Sequence, residues 1–154
     1  MKLLVVAVGH RMPAWIDSGF AEYAARMPRE MRIELIALKP APRGSGAARA
    51  IEAEGVRIRA AIPGGCMTVA LDERGSAFPT TELARRLARW RQTGQDIAFI
   101  IGGADGLAAS VKKSSNAVWS LSPLTLPHGL ARVLLAEQLY RAASILHNHP
   151  YHRE

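Results

Sequence analysis

Short, almost uninterrupted apolar runs alternate along this chain with segments of helical periodicity, and this alternation restricts the possible folds more than any other feature. Residues 2–8 (KLLVVAV) carry a single polar side chain, and residues 66–71 (CMTVAL) and 96–101 (DIAFII) repeat the pattern. A strand can be apolar on both sides only where both faces of its sheet are covered, as in parallel sheets with helical crossovers. Residues 31–38 (MRIELIAL) begin instead by alternating Ile33, Leu35 and Ala37 with Arg32 and Glu34, which marks a strand nearer the edge. Ile16, Phe20, Tyr23 and Met27 predict a helix over residues 14–27, stopped by Pro28. Ile51, Ile58 and Ile62 predict a second, closed by Pro63-Gly64-Gly65. Leu83, Leu87 and Trp90 predict a third, with Thr80 or Thr81 as its cap and Gly94 as its terminator. A short helix over residues 107–114, a fifth strand over 117–120 and a last helix over about 130–146 follow. The expected architecture is one α/β domain over residues 1–154, with a mostly parallel five- to six-stranded sheet and helices on both faces.

With 49% hydrophobic and 21% charged residues, the chain is far from a disordered composition. The early apolar run ends at Gly9, too short for a membrane span and unlike a signal peptide, so a soluble cytoplasmic protein without membrane contact is expected. Cys66 is the single cysteine, which excludes an internal disulfide framework and a multi-cysteine zinc site. The net charge of +7, with sixteen arginines among the twenty cations, favours polyanionic partners such as nucleic acid.

In a parallel sheet, ligands bind beyond the carboxyl ends of the strands. The loop after the first strand, GHRMP, has neither a dinucleotide fingerprint nor a phosphate-binding loop, which argues against a dehydrogenase, a kinase or a flavodoxin-like nucleotide enzyme. Residues 39–48 (KPAPRGSGAA) read as a mobile loop, and 72–75 as a turn. After the fourth strand, Gly102 and Gly103 of IGGADG could let a ligand approach their backbone amides, or could simply form a tight turn. After the fifth, residues 121–129 (LSPLTLPHG) hold three leucines and two prolines where a surface loop is normally polar. Such a loop must pack on something, and it suits a flat heterocycle such as adenine as well as it suits a buried connection. Arg85, Arg86, Arg89 and Arg91 read as a solvated helix face. Arg132 and Arg141, on the last helix, are better placed for a site, and Glu137 can pair with Arg141 at i+4. In the tail, Tyr151, His152 and Arg153 combine a stacking ring with groups that meet phosphate or base edges. A metal site is not expected there, because the histidines lack further ligands nearby.

VAVG, IGGADGL, LSPLTLPHGLARVLLAEQLYRA and HPYHRE, in this order and spacing, resemble the ribosomal RNA large subunit methyltransferase H family, minimal members of the SPOUT (trefoil-knotted) methyltransferases. The resemblance runs over essentially the whole chain. It implies methyl transfer from S-adenosylmethionine, without a metal, to N3 of a pseudouridine in 23S rRNA of the ribosome. It also implies a homodimer and a deep C-terminal trefoil knot, which sequence physics would not suggest. By matching segments, Leu71, Gly102 and Gly103 would hold the cofactor together with Leu121, Ser122, Pro123, Leu124, Thr125 and Leu126. Pro123 departs from the amide donors around it, so any contact there must use its carbonyl or ring. Because the N3 proton must leave before methylation, His128 is the candidate for proton transfer or orientation, and Arg132 or Arg141 for stabilising the ring anion. A non-catalytic ribosome- or RNA-binding protein of the same fold is the alternative.

Overall fold

Leu3, Val5 and Ala7 of the first strand, β1 (Lys2–Val8), point into one buried layer, and Leu4, Val6 and Val8 point into another. The computed structural model describes residues 1–153; Glu154, at the end of the tail, lies outside the described residues. The fourth strand, β4 (Ile97–Ile101), is divided in the same way: Ile97, Phe99 and Ile101 face one layer, Ala98 and Ile100 the other. Together with β2 (Arg32–Leu38), β3 (Met67–Ser76) and β5 (Ala117–Trp119) they form a five-stranded, all-parallel sheet in the order β2-β1-β4-β3-β5. The two most apolar strands thus sit inside the sheet, and β2, with its alternating pattern, is an edge, as its sequence predicts.

Helices α1 (Ala14–Arg26), α3 (Thr80–Thr93) and α5 (His128–Leu146) cover one face, where Phe20, Leu83, Leu87, Leu135 and Leu139 are buried. Helices α2 (Ala47–Ala61) and α4 (Ala109–Ser114) cover the other through Ile58 and Val111. The distribution follows from handedness. Crossovers β1–α1–β2 and β3–α3–β4 run in one direction along the sheet, and β2–α2–β3 and β4–α4–β5 run in the other. Parallel crossovers share one hand, so opposite directions place helices on opposite faces.

The five strands fall within the expected five to six, while several local expectations need revision. Helix α5 starts at His128 rather than near residue 130. Helix α3 has no side-chain cap: Pro79 precedes it, and the Thr80 hydroxyl lies 2.7 Å from Gln138 Oε1 on α5, bonding across the helix pair instead. Gly94 does close α3, at φ +67°. Arg86 is not simply a solvated cation; its guanidinium lies 4.3 Å above the Phe78 ring, part of an aromatic group in which Trp90 stacks on Trp119. That group anchors the three-residue β5. Residues 39–48, expected to be mobile, are tied down through buried Ala41 and through Arg43.

Residues 72–75 are also more than a turn. Both Leu71 and Ser76 pair with Trp119, so the intervening residues bulge out of β3. The chain returns at Gly75, where a Cβ would stand 2.6 Å from the Trp119 carbonyl carbon. Gly75→Ala should therefore destabilise the protein by about 1–3 kcal/mol. Gly64→Ala, at a position with nothing within 4 Å, should be close to neutral. Urea unfolding of the two variants checks the difference.

Candidate functional site

Three segments converge on the carboxyl side of the sheet: the bulge within β3 after Leu71, the glycine loop after Ile101 at the end of β4 and the segment between β5 and α5. They enclose a cleft of about 720 Å³, within the size range of small-molecule sites. Leu71, Gly102 and Gly103 line it, and so do Leu121, Ser122, Leu124, Thr125 and Leu126. Pro123 lies in the same segment and is exposed. The leucine-rich segment packs only in part. Leu121 rests on the core, whereas Leu124 is 71% exposed at the rim.

The glycine pair has a physical reason within the fold itself. A Cβ on Gly102 would stand 2.6 Å from the Gly106 carbonyl carbon, and one on Gly103 would stand 3.2 Å from Val8 Cγ1. The missing side chains let the loop fold back on itself, closed by a Gly103–Gly106 bridge, and press against the end of β1. Gly106, at φ +79°, supplies the left-handed turn.

Charged residues that the sequence reading passed over form the rim. Asp72 pairs with Lys112 of α4 at 3.1 Å, and the Thr125 hydroxyl donates to Glu73. The Asp72 carboxyl is held below its ordinary range, mainly because it accepts the Arg74 backbone N–H and secondarily because of Lys112. The one available signal was the charge-rich DERG directly after an apolar strand.

His128 opens α5 and lines the cleft against the end of β1, 3.6 Å from where a Gly9 Cβ would be. Burial pushes its pKa below 6.5, and the neighbouring Arg132 pushes the same way. Both effects favour the neutral imidazole. Arg132 is only 1% exposed and lies behind His128, donating to the carbonyls of Val8 and Gly9. Its Nε has no partner among the described residues. It does not line the cleft, so its position suits holding the end of β1 and facing His128 rather than touching a substrate.

Arg141 belongs to a separate group. Its Nε donates to Glu137 at 2.8 Å and its guanidinium lies 4.8 Å over the Tyr151 ring. The Tyr151 hydroxyl donates to the same Glu137 carboxylate at 3.0 Å, and burial with these bonds pushes the phenol well up. A 3₁₀ turn, Pro150–His152, carries the tail, with exposed Arg153 after it. His152 Nδ1 is buried without a partner among the described residues. At ~1.5 Å of rise per residue, Arg141 stands about 20 Å along α5 from His128. The structure therefore brings His128, Arg132 and the proposed cofactor residues together and leaves Arg141 and the tail at the other end. The remaining tail histidines have structural partners: His147 bonds Glu30, and His149 accepts the Tyr151 N–H. Among the described residues no group of three or more His, Cys, Asp or Glu side chains could hold a metal, and no helix is long and apolar enough to cross a membrane.

Residues 1–152 match the family described as "Predicted SPOUT methyltransferase". The chain is 58% identical over 155 residues to "Ribosomal RNA large subunit methyltransferase H" of Ralstonia pickettii (strain 12J), covering 99% of both chains. It is 56% identical, with the same coverage, to the protein of that name from Nitrosospira multiformis. Among solved structures, a probable methyltransferase from Bordetella pertussis Tohama I superposes with a TM-score of 0.60 at 17% identity, covering 92% of this chain and 95% of its own. A probable methylase family protein from Haemophilus influenzae Rd KW20 gives 0.56 at 11% identity, covering 97% and 69%. The chain belongs to the SPOUT methyltransferases and, within them, to the family of the ribosomal RNA large subunit methyltransferases H.

Proposed function

We propose that this protein is an S-adenosylmethionine-dependent methyltransferase acting on N3 of a pseudouridine in 23S rRNA, on the assembled ribosome in the cytoplasm. The observation that carries the proposal is the cleft: apolar Leu71, Leu121 and Leu126 form walls suited to an adenine, beside a neutral histidine. The lining fits the cofactor, since a flat base wants apolar walls and the cationic groups of the methyl donor can meet carboxylates at the rim, Asp72 and Glu73. Bound there, S-adenosylmethionine supplies a methyl group already electrophilic enough to need no metal. Leu71, Gly102, Gly103 and the segment from Leu121 to Leu126 hold it, with Pro123 contributing at most a carbonyl or ring. Their work is alignment, which can supply several kcal/mol.

His128 takes the N3 proton, which frees the ring nitrogen to accept the methyl group. Burial favours neutral His128, and the charge of Arg132 adds to that effect. This revises the expected part of Arg132, because a guanidinium committed to the carbonyls of Val8 and Gly9 cannot also cover a substrate ring. Arg141 orders the tail through Glu137 and Tyr151, and Tyr151, His152 and Arg153 grip the RNA. Because the tail lies at the far end of α5 from its own cleft, the site is completed in a homodimer, one subunit's tail meeting the other's cofactor. The trefoil knot belongs to this reading as well, and the segment after β5 runs from the sheet edge along the cleft to His128, beside Gly9.

Two measurements test this. With His128 as base, kcat/KM for ribosomes should fall as pH drops through a midpoint below 6.5, and His128→Gln should lose at least tenfold and flatten that limb. An unchanged acid limb in the variant removes His128 from the proton transfer. Removal of residues 151–154 should abolish methylation while S-adenosylmethionine still binds by calorimetry. Mixing this truncated chain with His128→Gln should restore about a quarter to a half of the activity if each site draws on two subunits. No restoration in mixed dimers means that each chain acts alone.

A further inference from the structure

We infer that Arg43, in the segment between β2 and α2, is a positioning residue that staples the glycine loop of the cleft into its binding shape. Its importance for the cofactor rests on the function proposed above. Arg43 joins three parts of the chain. Nη1 donates to the Ala41 carbonyl at 2.8 Å and to Glu54 Oε1 on α2, and Nε donates to Asp105 Oδ2 at 3.0 Å. Asp105 lines the cleft at the tip of the loop closed by the Gly103–Gly106 bridge.

The buried end of this network makes it a fixed point. Glu54 is 2% exposed, and its Oε1 also accepts the Ala41 N–H. The other oxygen, Oε2, is buried without a partner among the described residues and lies 3.8 Å from where a Gly103 Cβ would be. A buried carboxylate that loses its cation is strongly destabilised, so Arg43 is bound to Glu54 rather than free to wander on the surface. The planar guanidinium then presents Nε outward in a set direction, towards Asp105. A surface ion pair alone contributes little, but one anchored on a buried charge has no side-chain freedom left to lose. The staple has an electrostatic effect as well, since it offsets the Asp105 charge at a cleft mouth that must admit RNA.

The test separates the loop from the cofactor. Hydrogen exchange in the free protein reads the Gly106 N–H, which bonds the Gly103 carbonyl at 3.1 Å. Arg43→Met should speed that exchange about tenfold, and Asp105→Asn, which leaves the Arg43–Glu54 pair intact, should speed it about threefold. S-adenosylmethionine Kd by calorimetry should rise by similar factors, while kcat at saturating cofactor changes less than about twofold. The double variant should be no worse than Arg43→Met. Arg43→Lys should recover the thermal stability lost in Arg43→Met by compensating Glu54, yet not the loop protection, because one ammonium cannot serve both carboxylates as the fork does. Normal Gly106 exchange in Asp105→Asn overturns the staple, and faster exchange with an unchanged Kd overturns its importance for the cofactor. Failure of the wild-type protein to bind S-adenosylmethionine sinks the proposed function instead, and the exchange data still decide the staple.

Discussion

Every side chain of β4, and every one of β1 after Lys2, is out of water, and the two strands lie side by side. Two opposed apolar faces must each be roofed by helices, and crossovers of a single hand allow this only when the chain reverses direction along the sheet. The order β2-β1-β4-β3-β5 is such a path, with a reversal at every step after the first crossover. Its consequence is local. Strands β3, β4 and β5 are neighbours, so the bulge of β3 and the segments following β4 and β5 crowd into one corner and close a cleft. Gly75, returning against the backbone of Trp119, and Gly102, folded against Gly106, show how little room that crowding leaves.

Long-range polar ties join the segments of the cleft. Lys112–Asp72, Thr125–Glu73 and Arg43–Asp105 each join segments 40 to 62 residues apart. Ties between exposed groups are individually weak, but each anchors a loop to a helix or to another loop whose position the core already sets. Arg132 is the exception in kind. Its cation is buried at the end of β1 with only Nη2 bonded to backbone carbonyls there, an expensive arrangement unless it specifies something. It specifies the junction of β1, α5 and His128, which forms the back wall of the site.

Helix α5 divides the functional residues. His128 at its start faces the cleft, and Arg141, Glu137 and Tyr151 form a compact polar group towards its end. A rigid helix cannot bring its own ends together, so within one chain the cleft and the polar group around Tyr151 stay apart.

Strand placement was open to inspection in the residues themselves. The unbroken apolar character of residues 2–8 and 97–101 identifies interior strands, the alternation from Arg32 identifies an edge, and Gly94 announces the end of α3, because burial and backbone freedom act on each residue locally. The cleft segments were legible too, since ligand sites in parallel sheets lie beyond strand ends. What was not legible depends on partners distant in the chain. Thr80 looks like a cap until Gln138 is beside it, Arg132 looks like a substrate cation until the end of β1 closes over it, and Arg43 looks like part of a loose loop until Glu54 and Asp105 meet it. The partners of polar groups are chosen by three-dimensional proximity, and only the packed sheet and its helices create that proximity.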